Sequence, residues 1–169
     1  MKRLLVLLLA LSLLVLSSCE SDEPEREYLE YEAPIATFIN AYNKKDSASA
    51  LGCFTPGAKD LYGTENDIVN DLSSYVDSVV GDRARLSYKV LDKQELDEQT
   101  VNAISDEYTD TYSLRLEVKK AYKLKVKIST KGGNLSATNE NLEIITIKAG
   151  SSWYIYGNVL IDLGLKVKE

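Results

Sequence analysis

The fold class is clearest from residues 112–159, whose sequence is YSLRLEVKKAYKLKVKISTKGGNLSATNENLEIITIKAGSSWYIYGNV. Apolar and polar side chains alternate along its first half, which is typical of strands with one buried face. The phase of this alternation holds across residues 119–122, so the pattern predicts one long strand. The alternating positions are Leu114, Leu116, Val118, Tyr122, Leu124, Val126 and Ile128.

Turn residues divide the second half of the stretch. Lys-Gly-Gly-Asn at residues 131–134 predicts a tight hairpin turn, because glycine and asparagine tolerate the positive φ angles that such turns require. Residues 142–148 then predict the return strand. A second turn at 149–152 leads to a closing strand over 153–159.

Helical spacing of apolar residues dominates the chain before this stretch. It predicts helices over residues 32–44, 46–53, 64–80 and 97–110, with a strand from Arg85 to Gln94 between the last two.

Four helix ends carry recognisable signals. Asp46 is the expected cap of the second helix, and Pro56 with Gly57 is expected to end it. Thr64 stands where the third helix would be capped, with Asp67 at the capping-box offset, and Gly81 fits its C-terminal stop.

Helices followed by consecutive antiparallel strands indicate an α+β domain. The segments AYNKKD (41–46), AYKLKVKISTKGG (121–133) and IKAGSSWYIYGN (147–158) resemble those of bacterial lipoproteins with a nuclear transport factor 2-like domain. The resemblance covers roughly residues 30–160. It implies a cystatin-like α+β cone, in which N-terminal helices pack on a strongly curved antiparallel sheet and leave a conical pocket. Some members of this class are enzymes and many only bind ligands or partners, so the fold does not determine the function.

The first nineteen residues predict the localisation of the protein. Lys2 and Arg3 precede the apolar run from Leu4 to Leu16, a pattern typical of a secretory signal. Thirteen helical residues span about 20 Å, too little to cross a hydrocarbon layer of about 30 Å. Leu-Ser-Ser-Cys at 16–19 resembles the lipobox of bacterial lipoproteins, which implies cleavage before Cys19 and a diacylglycerol on its thiol. An ordinary secretory signal with a chance cysteine is the alternative.

These signals predict four parts of the chain. Residues 1–18 are the signal peptide, 19–29 the lipidated cysteine and a flexible tether, 30–162 a single α+β domain, and 163–169 a C-terminal tail. The expected localisation is therefore outside the cytoplasm, on a bacterial membrane to which the lipid on Cys19 attaches the protein.

Composition excludes several classes of function. Loss of Lys2 and Arg3 with the signal lowers the basic count from 20 to 18 against 26 acids, a net charge of −8, which disfavours nucleic-acid binding. The chain has no histidine, so histidine-activated nucleophiles and histidine-ligated metals are excluded, and we predict no metal and no cofactor. Cys53 lies in an apolar segment and is expected to be buried rather than reactive.

No catalytic residue is predicted. A carboxylate with a raised pKa could act as a base, but sequence does not distinguish among the candidates Asp60, Asp71, Asp77 and Asp92. Aromatic residues are the candidates for lining a ligand pocket, although core packing is the alternative for each of them. These candidates are Tyr42, Tyr88, Tyr122, Trp153 and Tyr156.

Lysines form a stripe on the predicted long strand, at positions 119, 123, 125, 127 and 131. The stripe could contact anionic lipid or cell-wall polymers, or it could only discourage edge pairing, with Glu140 and Glu143 partly neutralising it. The sequence thus predicts a non-enzymatic binding domain for a small apolar ligand or an envelope protein. The alternatives are a pocket enzyme of the isomerase or dehydratase type that uses a carboxylate base, and a dimerising structural module.

Overall fold

The computed structural model describes residues 29–62, 68–133, 135–157 and 163–167. Its helices are α1 (Ala33–Lys44), α2 (Ser47–Leu51), α3 (Pro56–Tyr62), α4 (Ile68–Val80) and α5 (Glu98–Tyr112). Its strands are β1 (Arg85–Glu95), β2 (Val118–Gly132), β3 (Leu135–Ala149), β4 (Ser152–Tyr156) and β5 (Lys166–Val167). An α+β architecture is therefore confirmed.

The strands form one antiparallel sheet in the order β1-β2-β3-β4, and β5 pairs with the hairpin half of β3. The predicted hairpin is present, and Gly133 adopts a φ of 50° in its turn. The second turn also forms as predicted, with Ala149 paired to Ser152. Short turns thus place β2, β3 and β4 side by side in the sheet, whereas the connection from β1 to β2 contains α5.

The main core lies between the helices α1 and α4 and one face of the sheet, which we call the inner face. Leu124, Val126 and Ile128 point into it from β2, and each is fully buried. They meet Phe38 from α1 and Leu72 from α4, which come from the apolar stripes of those helices. The alternation read from the sequence therefore identified this face correctly for the middle of β2.

Two of the helix ends agree with their sequence signals. The Asp46 side chain accepts a hydrogen bond from the Ser49 N–H at 3.0 Å and caps α2. Gly81 follows α4 with a φ of 88°. The predicted capping residues Thr64 and Asp67 lie outside the described residues.

The long-strand prediction is wrong at its beginning. Leu114 is 43% exposed and precedes the strand, which starts at Val118. A β-bulge between Val118 and Lys120 then reverses the side-chain direction. Val118 consequently shares the opposite, outer face with Ala121, and α5 covers both of them through Val101 and Ile104.

Two further boundaries differ from the predictions. Pro56 begins α3 instead of ending a helix, because proline lacks the N–H that the first helical turn leaves unused. Residues 163–167 are not a tail, since Leu163 is fully buried in the core and Lys166 pairs with Thr138.

Candidate functional site

Three aromatic rings meet on the inner face near the turn between β3 and β4. The ring centroid of Tyr122 lies 4.6 Å from that of Tyr31 and 5.7 Å from that of Trp153. We call these three residues the aromatic cluster. Tyr31 is buried at the base, whereas Tyr122 and Trp153 are partly exposed, so the cluster presents a supported aromatic surface to solvent.

Charged groups fix the position of the indole. The Trp153 Nε1–H donates to Glu30 Oε2 at 3.3 Å, and Lys148 Nζ donates to the same oxygen at 3.1 Å. Lys148 Nζ also lies 5.6 Å from the Trp153 ring centroid. The hydrogen bond from Lys148, followed by that from Trp153, lowers the pKa of the Glu30 carboxyl. Glu30 is therefore ionised at neutral pH and holds both side chains.

A second pair of charged groups borders the other rings. Lys93 Nζ stands 5.0 Å from the Tyr31 ring centroid. The Tyr122 hydroxyl donates to Glu95 Oε2 at 3.0 Å. The rings are thus held from two sides by charge-assisted contacts, which reduce the rotamer freedom that a ligand would have to restrict.

An open groove of about 680 Å³ adjoins the cluster. It lies between the first turn of α1, the segment 49–53 and the strand β4. Its lining combines the face of Trp153 with charged and hydroxyl side chains, among them Glu30, Thr37, Ser49, Lys148 and Ser152. Such a mixture suits a ligand that has both apolar and hydrogen-bonding groups.

Part of the main-chain edge of β4 faces this groove. Its Ile155 N–H points away from β3 and donates to the Cys53 carbonyl at 2.8 Å. Because main-chain groups two residues apart in a strand point to the same side, the N–H and C=O of Trp153 point the same way. Within the described part of the chain, no group hydrogen-bonds to them. The groove therefore contains one free donor and one free acceptor of a sheet edge.

Of the five aromatic residues predicted to line a pocket, the structure brings two together, Tyr122 and Trp153. Tyr42 is fully buried in the core, where desolvation raises the pKa of its hydroxyl. Tyr88 is half-buried on β1 against the same core. Tyr156 packs on the outer face, and burial followed by the charge of Glu107 raises its pKa.

Sequence reasoning missed two residues of the site, Tyr31 and Glu30. Both precede α1, and no periodicity marks them as partners of strands more than 90 residues later. Tyr31 stands at helical spacing from Ile35 of α1, which indicates core packing and not a ligand site. The exposed Glu30 carries no signal in the sequence at all.

The carboxylates considered as general bases do not line the groove. Asp60, Asp71 and Asp92 are exposed, and Asp77 is half-buried and accepts a hydrogen bond from the Ala84 N–H at 3.4 Å. Across the described ranges, no three His, Cys, Asp or Glu side chains are arranged to hold a metal ion. No helix among the described residues is long and apolar enough to cross a membrane.

Cys53 is a lining residue of the groove and is buried. The thiol donates to the Ser49 carbonyl at 3.3 Å, and burial raises its pKa to about 12. It is therefore protonated at neutral pH and is a poor nucleophile. Cys19, the expected lipidation site, lies outside the described residues.

Comparison of the chain with protein-family models, with curated proteins and with solved structures gives no match.

Proposed function

We propose that this chain is an extracytoplasmic bacterial lipoprotein, anchored through a diacylglycerol on Cys19, that presents a non-enzymatic binding domain. The lipobox-like Leu-Ser-Ser-Cys at 16–19 supports the anchor. The order of helices and antiparallel strands supports assignment of the domain to the nuclear transport factor 2-like class. The binding site is the groove beside the aromatic cluster.

The ligand is an extended peptide segment of an envelope protein. The single observation behind this choice is the unpaired main chain of Trp153 at the edge of β4. An extended peptide would hydrogen-bond to that edge, as in β-strand addition, and lay one side chain on the indole. Glu30 and Lys148 would contact its polar groups at the rim. A small apolar ligand suits this lining less well, because it would desolvate both charges without replacing their hydrogen bonds.

The test uses synthetic peptides selected from a random library for binding to the lipidated protein. Trp153 is the only tryptophan in the chain, so its emission reports directly on the groove. Amide hydrogen exchange gives the second readout. We expect the Trp153 amide to exchange fast in the free protein and to become protected when a peptide binds.

The control is the same peptide with a methyl group on one backbone nitrogen at a time. Strand addition predicts that methylation of the amide facing Trp153 abolishes binding, whereas methylation of the next amide, which points to solvent, leaves it intact. Binding that tolerates every methylation, or that leaves the Trp153 amide unprotected, would exclude this mode. Turnover of a substrate by the purified domain would refute the non-enzymatic assignment.

A further inference from the structure

The outer face of the sheet carries a concentrated positive charge between α5 and the β2–β3 hairpin. Register places six basic side chains on this face along β1 and β2, and three acidic ones join them from β1 and β3. The balance of six against three is a net charge of +3 in a chain whose overall charge is −6. We call this area the basic face. Its basic members are Arg85, Lys89, Lys123, Lys125, Lys127 and Lys131.

Like charges stand directly opposite each other on the basic face. Lys89 pairs across the strands with Lys127, and Arg85 with Lys131. Such pairs destabilise a sheet unless an anion lies between them. Lys127 has a partner in Glu140, at 2.6 Å, but Lys89, Arg85 and Lys131 form no ion pair within the described ranges. The arrangement costs stability in the isolated domain and is relieved by external negative charge.

The rest of this side of the molecule has the opposite sign. Helix α5 covers only the far end of the outer face, and it contains Glu98, Asp106, Glu107 and Asp110 without any lysine or arginine. Over the basic face itself, no helix of the described residues packs. The surface is therefore an exposed cationic area with a sharp acidic boundary.

We propose that the basic face docks on the anionic headgroups of the membrane that carries the protein. This inference rests on the proposed anchor at Cys19. Nine residues lie between Cys19 and Leu29, where the described domain begins, so the ten Cα–Cα steps of the tether reach at most about 35 Å. A domain of negative overall charge held that close to an anionic surface is repelled in most orientations. The basic face is a side that is attracted, and each lysine near such a surface contributes measurably to the attraction.

Docking also sets the orientation of the binding groove. The groove opens beside the inner face at the β4 end, whereas the basic face is on the other side of the sheet. A domain lying on its basic face thus keeps the groove away from the bilayer, where a peptide of another envelope protein can reach it.

The experiment uses the full lipidated protein in vesicles with or without phosphatidylglycerol. Ser87→Cys provides an exposed thiol on the basic face for a fluorophore. The label is specific because Cys53 is buried and a lipidated Cys19 has no free thiol. A headgroup-attached quencher then reports the ratio of docked to undocked protein. We expect strong quenching on anionic vesicles, little on neutral ones, and loss of the difference in about 1 M salt, where the Debye length is about 3 Å.

Charge variants make the test specific. Lys89→Gln with Lys131→Gln breaks both like-charge pairs, so it leaves folding intact, and it should lower the docked ratio about 25-fold, roughly fivefold per lysine. Lys44→Gln with Lys59→Gln removes the same charge from exposed helical positions and should leave the ratio within about twofold.

Several outcomes would overturn the docking proposal. One is equal quenching on neutral and anionic vesicles, and another is an equal effect of the two double variants. A third is quenching that increases with protein density, which would indicate a second copy of the protein on the basic face. Failure of the protein to float with neutral vesicles would refute only the lipid anchor. Docking would still be tested in that case, by the difference in quenching between anionic and neutral vesicles.

Discussion

Tyr108→Phe tests the contact that joins α3 to α5. The buried Tyr108 hydroxyl of α5 accepts a hydrogen bond from the Gly57 N–H of α3 at 2.7 Å. A Cβ on Gly57 would lie 2.6 Å from the Tyr112 ring, so the two helices pack too closely for a water to replace the hydroxyl. Phenylalanine therefore leaves a buried N–H without an acceptor. This costs about 2 kcal/mol of the free energy of unfolding.

Urea denaturation measures the loss. At an m value of about 2 kcal/mol/M, the midpoint should fall by about 1 M with an unchanged slope. Tyr112→Phe is the matched control, because it removes a hydroxyl from the half-buried neighbouring ring and should change stability by less than about 0.5 kcal/mol. Equal effects of the two substitutions, or no effect of Tyr108→Phe, would refute the proposed role of this hydrogen bond.

Three further predictions concern the core and the sheet. Burial raises the pKa of the Cys53 thiol from an ordinary 9.0 to about 12, so the contribution of the thiol to stability is complete below about pH 9 and is lost as pH rises towards 12. The difference in unfolding free energy between wild type and Cys53→Ala should therefore shrink between about pH 9 and 12, and a constant difference would contradict this prediction. Gly132→Ala places a Cβ 2.6 Å from the Gly81 carbonyl oxygen and should destabilise by more than about 1 kcal/mol in thermal unfolding, whereas a neutral result would mean that the hairpin shifts freely. Leu124→Ala should lower the free energy of unfolding by about 2–5 kcal/mol, because Leu124 is fully buried. Leu91→Ala, at an exposed position, should change it by less than about 0.5 kcal/mol, and similar losses in the two variants would show that the core is misassigned.

Local signals predicted most of the secondary structure. Helix α1, the strand β1 and both turns of the sheet follow from periodicity and turn residues, which act over a few positions. The start of β2 was predicted wrongly because a bulge at Lys119 reverses the side-chain direction of the strand, whereas the alternation of residue types in the sequence continues unchanged. The bulge puts Val118 on the outer face against α5, and this tertiary contact has no local signal in the sequence.

The candidate site was only half predictable. Trp153 and Tyr122 lie on strands whose turns fix their neighbours, so their proximity follows from register. Tyr31 and Glu30 reach the site because the chain before α1 folds back over β3 and β4, a contact that no local pattern encodes. The free edge at Trp153 depends likewise on where the Cys53 segment stops covering β4.

The intact mass of the protein extracted from membranes, beside that of a Cys19→Ala variant, tests the lipid anchor most directly. We expect a wild-type chain that begins at Cys19 and carries the mass of a diacylglycerol, and a variant without lipid. A wild-type mass without lipid would contradict the anchor and the proposed localisation.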